Sequence, residues 1–338
     1  MIRRLGVFRG ESVDPHWNLA VEEYLLQNVG EEQCILYLWQ NQHTVVIGRN
    51  QNAWKECRTT LLEEEGGHLA RGPLRAGTDE RRRLSGGGAV FHDLGNLNFT
   101  FLLPDDCYDL DRQLRVIETA CRNLGIHAER SGRNDILADG RKFSGNAFYH
   151  HGGRAYHHGT LLVDVDMEKL SRYLNPSREK LAAKGVDSVR SRVVNLKELK
   201  PELTIEKLCD ALVCAFSQVW DLPVEQVKLN DRDREAVEKI CCRNRSWDWN
   251  YGRQIPFTFS CQQRFSWGEV SLQLQVEGGI VREAQVWSDA MDWRLAPALE
   301  QALTGCRFTE AELCQAVEQM GFGDAANDVC QMLKEQEI

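Results

Sequence analysis

The chain has 338 residues, 42% hydrophobic and 27% charged, enough for two domains with a real apolar core and no need of disulfide or metal staples. That composition excludes disordered, collagenous and coiled-coil classes. The net charge of −9 is uneven, with 6 basic and 13 acidic side chains in residues 251–338, and an acidic total argues against a general nucleic-acid binder.

Asp14-Pro15, followed by Trp17, Ala20, Val21, Tyr24 and Leu25, predicts a capped amphipathic helix. Strand-type runs follow at 34–39 and 44–48, separated by the polar residues 40–43. Residues 88–92 and 97–103 read as a further strand pair joined by Asp93-Leu94-Gly95-Asn96. Leu114, Ile117, Cys121 and Leu124 mark a helix that stops at Gly125. Strand segments recur through Val163, and helical patterns take over from Glu168. Strands and helices without strict βαβ alternation predict an α+β fold rather than a doubly wound sheet. Beyond Ser246 come strand-type runs at 257–261, 270–276 and 281–288, then a helical acidic tail from Leu295. The charge shift and the punctuation at Gly252 and Pro256 place a boundary near 250. The expected domains are therefore 1–250 and a small α+β domain at 251–338.

No window approaches the ~18 apolar residues of a membrane span, and no apolar stretch follows the basic start, so neither secretion nor insertion is signalled. The twelve cysteines include no CxxC pair, and most are expected to be buried, reduced thiols in a cytoplasmic protein.

The densest chemical signal is Arg81-Arg-Arg-Leu-Ser-Gly-Gly-Gly-Ala-Val-Phe-His-Asp-Leu-Gly-Asn96. Successive glycines let backbone N–H groups approach a ligand, and arginines supply anion-pairing forks, although a turn between strands uses the same composition. The run is neither a Walker loop nor a dinucleotide fingerprint. His92 and Ser85 flank the glycines without forming a recognisable hydrolase triad.

A second signal is Ser131-Gly-Arg-Asn-Asp135 with Gly140-Arg-Lys-Phe-Ser-Gly145. Strand alternation would point Lys142, Ser144 and Asn146 to one face. A lysine there is either solvated surface or a point charge for a phosphate or carboxylate. Asp135 is a candidate Mg²⁺ ligand, since that ion takes one or two carboxylates plus substrate phosphates. His150, His151, His157 and His158 suggest zinc only superficially, because adjacent histidines on a strand face opposite ways. Residues 178–192 hold five basic and two acidic side chains around Gly185, which suits either a helix surface or a basic loop over a phosphate.

Read together, these stretches resemble the bacterial lipoate–protein ligase A family. The resemblance rests on Asp14-Pro-His-Trp-Asn-Leu-Ala-Val-Glu-Glu23, Leu38-Trp-Gln-Asn41, Thr44-Val-Val-Ile-Gly-Arg49, Gln51-Asn-Ala-Trp-Lys-Glu-Cys57, and Ser85-Gly-Gly-Gly-Ala-Val-Phe-His-Asp-Leu-Gly-Asn96. It continues through Ser131-Gly-Arg-Asn-Asp135, Arg141-Lys-Phe-Ser-Gly145, His157-His-Gly-Thr-Leu-Leu162, residues 181–196, and Ser246-Trp-Asp-Trp-Asn-Tyr-Gly252. It implies a large mixed-sheet catalytic domain of the biotin/lipoate ligase type with an accessory C-terminal domain.

The resemblance also implies a reaction. Lipoate and ATP with Mg²⁺ give lipoyl-AMP, and the lipoyl group then passes to one lysine of a lipoyl carrier domain. It places Lys142 as the catalytic lysine. It places Arg82, Arg83, Ser85, Gly86, Gly87, Gly88, Val90, Trp39 and His158 at the lipoyl-adenylate, with Trp39 equally suited to a core. Asn134, Asp135, Lys142, Ser144, Gly145, Lys180, Lys184 and Gly185 fall to the nucleotide, and Asp135 to the metal. The implied partners are lipoyl domains of 2-oxoacid dehydrogenase acyltransferase subunits or the glycine cleavage H protein, with no nucleic acid or membrane, and a monomer is expected.

Alternatives are an ATP-independent octanoyl or lipoyl transferase and a lipoate-binding regulator without turnover. One departure stands out. Residues 71–81 intervene between the strand His68-Leu-Ala70 and the arginine–glycine run, so Arg71 or Arg82 fills the first arginine position.

Overall fold

The computed structural model describes residues 1–48, 51, 53–72, 89–132, 135–174, 193–246, 249–250 and 259–336. In chain order the first half comprises β1 (Arg4–Arg9), α1 (Pro15–Asn28), β2 (Gln33–Trp39), β3 (Thr44–Ile47), α2 (Ala53–Glu56), α3 (Thr59–Glu64), β4 (His68–Arg71), β5 (Val90–His92) and β6 (Asn96–Pro104). There follow α4 (Leu110–Asn123), β7 (Ala128–Ser131), β8 (Asp135–Ala138), β9 (Arg141–His151), β10 (Arg154–Leu162) and α5 (Met167–Tyr173). Next come α6 (Leu196–Leu199), α7 (Ile205–Trp220), β11 (Val224–Gln226) and α8 (Asp231–Asn244). The last are β12 (Phe259–Phe265), β13 (Gly268–Glu277), β14 (Ile280–Ser288), α9 (Leu295–Leu303), α10 (Glu310–Glu318) and α11 (Asp324–Lys334). The fold is α+β. The chain divides into two compact units, the larger built chiefly from residues 1–250 and the smaller holding Tyr251–Ile338.

An eight-stranded mixed sheet organises the larger unit, in the order β11-β1-β2-β6-β10-β9-β8-β7. β1 runs parallel to both neighbours, and the pairs from β2 to β7 are antiparallel. The central strand β6 explains the layering. Its sequence Asn-Leu-Asn-Phe-Thr-Phe alternates with period two, yet all nine residues of the strand are buried. Leu97, Phe99 and Phe101 join Leu36, Leu38, Leu114, Ile117, Leu212 and Phe216 in the main core, under α4 and α7. Each such side chain contributes about 1.5–3 kcal/mol by leaving water. The opposite face presents Asn96, Asn98 and Thr100 and is met by α1 through Glu22.

Local chemistry starts and stops the helices. Asp14 caps α1 by accepting from the His16 N–H at 2.9 Å, with Pro15 in the first position, where its missing N–H costs nothing. Asp109 caps α4, which ends before Gly125 at φ +76°.

The expected pairing of residues 88–92 with 97–103 does not occur. β5 belongs to a separate three-stranded sheet, β4-β3-β5, whereas β6 pairs β2 and β10. The turn between them is held against residues 163–164, whose N–H groups both donate to the Gly95 carbonyl. A Cβ at Gly95 would stand 2.0 Å from the Asp164 oxygen, so this contact requires glycine. The turn passes the chain between sheets instead of closing a hairpin.

The smaller unit is a meander, β12-β13-β14, covered by α9, α10 and α11. Val270, Leu272 and Leu274 of β13 pack with Leu299, Leu313 and Val329 in a core of its own. Among the described residues, no helix is long and apolar enough to cross a membrane.

Candidate functional site

β9 supplies Lys142, and a bulge decides where it points. Asp135 pairs Gly145 and Ile136 pairs Ser144, but Leu137 pairs Lys142, leaving Phe143 as an extra residue. Phe143 and Ser144 both turn into the core at 0% and 1% exposure, and Asn146 lies on that side too. Lys142 turns the other way, with its Nζ 2.7 Å from Asp135 Oδ1. The single face expected for Lys142, Ser144 and Asn146 is thus corrected. Uninterrupted alternation fails because one inserted residue reverses it.

Gly145 leaves room for the lysine. A Cβ there would stand 3.2 Å from Lys142 Nζ and 3.4 Å from its Cε. The Val194 N–H fixes the Lys142 backbone by donating to its carbonyl at 2.9 Å. The Lys142 and Asp135 side chains are 37% and 41% exposed. Such a pair contributes about 0–1 kcal/mol to folding, so its effect here is to orient the amine.

Register then carries one face across the sheet. Trp39 pairs Asn98, Asn98 pairs Thr160, Thr160 pairs Gly145, and Gly145 pairs Asp135. The adjacent row is Tyr37, Thr100, His158 and Ala147. Trp39, His158, Gly145, Lys142 and Asp135 therefore share a face. Val90 stands on β5 in the other sheet and is exposed. Alternation places it on the side of His92, whose ring meets Trp39 edge-on at 6.5 Å.

Helix α1 closes the network. Glu22 Oε1 accepts from Thr100 Oγ1 at 2.7 Å and lies 2.9 Å from His158 Nδ1, while Thr100 Oγ1 accepts from Trp39 Nε1. Asn18, one turn before Glu22, donates to Asn41 Oδ1, and Asn41 Nδ2 contacts His92 Nδ1 at 3.1 Å. That chain makes His92 an acceptor at Nδ1 and leaves the proton on Nε2. Burial pushes the His92 imidazolium down to about 3, so the ring is neutral.

Glu22 Oε2, His92 Nε2 and Asn98 Nδ2 are buried without a protein partner. Buried polar atoms are nearly always satisfied, so three orphans around Trp39 and Thr100 mark where water or a polar ligand is accommodated. Sequence reasoning passed over Glu22, Asn18, Asn98 and Thr100. The polar–apolar alternation of β6, and polar residues four apart on an apolar helix, were the available signals.

Arg82, Arg83, Ser85, Gly86, Gly87, Gly88, Asn134, Lys180, Lys184 and Gly185 lie outside the described residues. Arg71 is described and buried. It donates from Nε and Nη2 to the Asn250 carbonyl at 3.1 and 2.6 Å, and its own carbonyl accepts from Trp249 Nε1. Burial pushes its guanidinium down to about 10.

His157 and His158 face opposite ways as adjacent strand residues must: His157 contacts Gln113 and Asn146 in the core, and His158 contacts Glu22. Among the described residues, no three His, Cys, Asp or Glu gather as a metal site. A half-exposed Asp135 suits Mg²⁺, which keeps its waters and arrives with phosphates rather than in a protein cage.

The family described as Lipoyl protein ligase A/B catalytic domain matches residues 14–217, and that described as Bacterial lipoate protein ligase C-terminus matches residues 254–333. Among solved structures, the chain is similar to P. falciparum LipL1 in complex with lipoate, with a TM-score of 0.80 and 27% identity over 97% of this chain and 98% of that one. It shares its fold with a bipartite lipoate protein ligase from Thermoplasma acidophilum, solved in a study of that archaeal lipoylation system and its E2 lipoyl domain (TM-score 0.64, 24% identity, 77% and 100% coverage). It also shares the fold of a lipoate-protein ligase A bound with ATP (TM-score 0.62, 24% identity, 75% and 99% coverage).

Proposed function

This chain belongs to the lipoate–protein ligase family, and from that premise we propose that it activates lipoate with ATP and transfers the lipoyl group to a lysine of a lipoyl domain. The carrying observation is the Lys142 ammonium held 2.7 Å from Asp135 beside Gly145, on the sheet face that also bears Trp39, Thr160 and His158.

In the first step a carboxylate oxygen of lipoate attacks the α-phosphorus of ATP. The bond to the bridging oxygen breaks and pyrophosphate leaves with its electron pair. Negative charge grows on the α-phosphate oxygens, and a fixed ammonium stabilises that charge more than the ground state. Lys142 is this group, with Asp135 aiming it. In the second step the acceptor lysine, as a free amine, attacks the acyl carbon of lipoyl-AMP. AMP leaves with the electron pair of the acyl C–O bond, the attacking nitrogen gives up one proton to solvent, and Lys142 remains beside the carbonyl oxygen. Mg²⁺, when bound with the nucleotide, supplies further positive charge to the phosphates, and Asp135 is the described carboxylate suited to hold it.

Arg82, Arg83, Ser85 and the three glycines at 86–88 bind the lipoyl-adenylate together with Val90, Trp39 and His158. Asn134, Asp135, Gly145, Lys180, Lys184 and Gly185 serve the nucleotide. Ser144 is left out of direct contact because its hydroxyl is buried on the opposite face. Residues 1–250 form the catalytic domain and 251–338 the accessory one. The acceptors are lipoyl domains of 2-oxoacid dehydrogenases or the glycine cleavage H protein, in the cytoplasm, with the ligase a monomer.

Purified protein is to be mixed with an apo lipoyl domain, lipoate and Mg²⁺, with and without ATP, and the domain weighed by mass spectrometry. Lipoylation that requires ATP and releases pyrophosphate is expected. Acyl transfer from an octanoyl carrier protein without ATP makes the chain a transferase, and lipoate binding without modification makes it a regulator.

A further inference from the structure

Two strands away from Lys142, the polar face carries buried hydrogen-bonding groups that the reaction as derived does not use. Glu22, His92 and Asn98 are 0%, 3% and 2% exposed, so bulk water does not serve them. Glu22 Oε2, His92 Nε2 and Asn98 Nδ2 nevertheless have no protein partner. Each side chain is held by its other polar atom. Glu22 Oε1 is engaged by Thr100 Oγ1 and His158 Nδ1, His92 Nδ1 by Asn41, and Asn98 Oδ1 accepts from Asn96 Nδ2 at 3.0 Å.

The three surround the Trp39 side chain. Asn98 stands opposite Trp39 in the ladder, His92 meets its ring edge-on, and Glu22 reaches it through Thr100. The unpaired atoms differ in kind. Asn98 Nδ2 and the protonated His92 Nε2 donate, whereas Glu22 Oε2 accepts. Two donors and one acceptor are the complement of a hydroxyl, which accepts twice and donates once. A ligand group that enters must supply those bonds or leave buried atoms unpaired.

The ladder sets the reach. Gly145, beside Lys142, pairs Thr160, and Thr160 pairs Asn98, so two strand spacings, about 10 Å, lie between β9 and Asn98. An extended eight-carbon acid is of about that length by ordinary bond geometry. With its carboxylate at Lys142, its far end meets Asn98, Glu22 and His92. We propose that these three are specificity-determining residues that read the far end of the acyl chain, so that the site prefers medium-chain acids bearing a hydrogen-bonding or sulfur group there over plain alkyl acids. This rests on the proposed function, which puts the carboxylate at Lys142. Lipoate belongs to the preferred class, because its ring sulfurs are weak acceptors for the two N–H groups. A plain alkyl end leaves all three atoms unpaired, and that penalty discriminates against it.

The test uses the full chain and acid-dependent exchange of pyrophosphate into ATP. 8-Hydroxyoctanoate and nonanoate are matched in size and differ only in a terminal hydroxyl against a methyl. The wild type is expected to use the hydroxy acid with a kcat/KM about tenfold above that for nonanoate, and lipoate about tenfold above octanoate. A pocket end without hydrogen-bonding function gives the opposite order for the matched pair, since burying an unpaired hydroxyl is costly. Asn98→Leu and, separately, His92→Phe replace an N–H donor by an apolar group of similar shape. In each, the preference for the hydroxy acid is expected to fall below about twofold. Damage to the fold lowers exchange with every acid together and leaves the ratio intact, so the ratio reports recognition alone. Where neither variant folds, the wild-type order decides. Equal use of the matched pair by the wild type overturns the inference, as does a tenfold preference kept in both folded variants. A wild type that exchanges with none of the four acids refutes the proposed function itself, and the inference with it.

Discussion

On one face of the eight-stranded sheet, Leu36, Leu38, Phe99 and Phe101 pack beneath α4 and α7. On the other, the same strands present Tyr37, Trp39, Asn98 and Thr100 to α1, where Glu22 accepts from Thr100. Both faces are buried, but the first is satisfied by dispersion and area, the second by hydrogen bonds left partly incomplete. The period of two makes this separation possible, since a residue serving stability and one serving chemistry sit side by side without sharing an environment. The bulge at Phe143 is the exception that proves useful. It keeps Phe143 and Ser144 in the core while sending Lys142 to the polar face.

If the faces are functionally distinct, damage to each should have its own signature. On the core face, Phe101→Ala removes a fully buried ring stacked near Phe216 and Trp220. A loss of about 3–5 kcal/mol is expected in denaturant unfolding, with activity per folded molecule preserved. A smaller loss accompanied by weaker substrate binding would mean the two faces are not independent.

On the polar face, Gly145→Ala forces a methyl within 3.2 Å of Lys142 Nζ and displaces the amine. Turnover is expected to fall on the order of 10²-fold, as for a misplacement of about 1 Å, with the melting temperature nearly unchanged. An active variant would show that the lysine's seat is not set by Gly145.

Acid sharpens the contrast further, because each face buries a neutral histidine. Burial holds His92 at about 3 and His157 well below its ordinary value. An unfolded histidine takes up a proton near pH 6.5, so the unfolded chain binds more protons below that pH. Stability therefore falls as pH drops from about 6.5, by up to about 1.4 kcal/mol per pH unit for each histidine, and is flat in these groups above neutrality. In His157→Gln the slope of unfolding free energy against pH, measured between about pH 5 and pH 6.5, is expected to lose one proton's worth. An unchanged slope would mean that His157 is charged in the native protein.

Much of this arrangement was legible in the sequence. The cap at Asp14-Pro15, the stop at Gly125 and the strands around 34–39, 97–103 and 270–288 have local causes, so local reasoning reaches them. The joint resemblance of many short motifs singles out Trp39, Asp135, Lys142, Gly145 and His158, and the ladder pairing puts these five on one face. What local reasoning could not reach depends on long-range pairing. The bulge that parts Lys142 from Ser144 exists only in the ladder with β8. The passage of the chain from β5 to β6 between sheets is set by the contact of Gly95 with Asp164. β1, with four inner residues buried on both faces, offers too short and glycine-broken a run to stand out. Glu22 reads as a surface carboxylate until Thr100 and His158 close around it.

In the proposed mechanism Lys142 is the cation that meets charge developing on the α-phosphate. Lipoate-dependent exchange of radiolabelled pyrophosphate into ATP reads that step alone, without any acceptor. Wild-type protein is expected to exchange only when lipoate is present, and Lys142→Ala to lose at least on the order of 10²–10³-fold of that rate while unfolding at the same denaturant concentration. Exchange at the wild-type rate in well-folded Lys142→Ala protein would contradict the assignment and move the chemistry away from this face of the sheet.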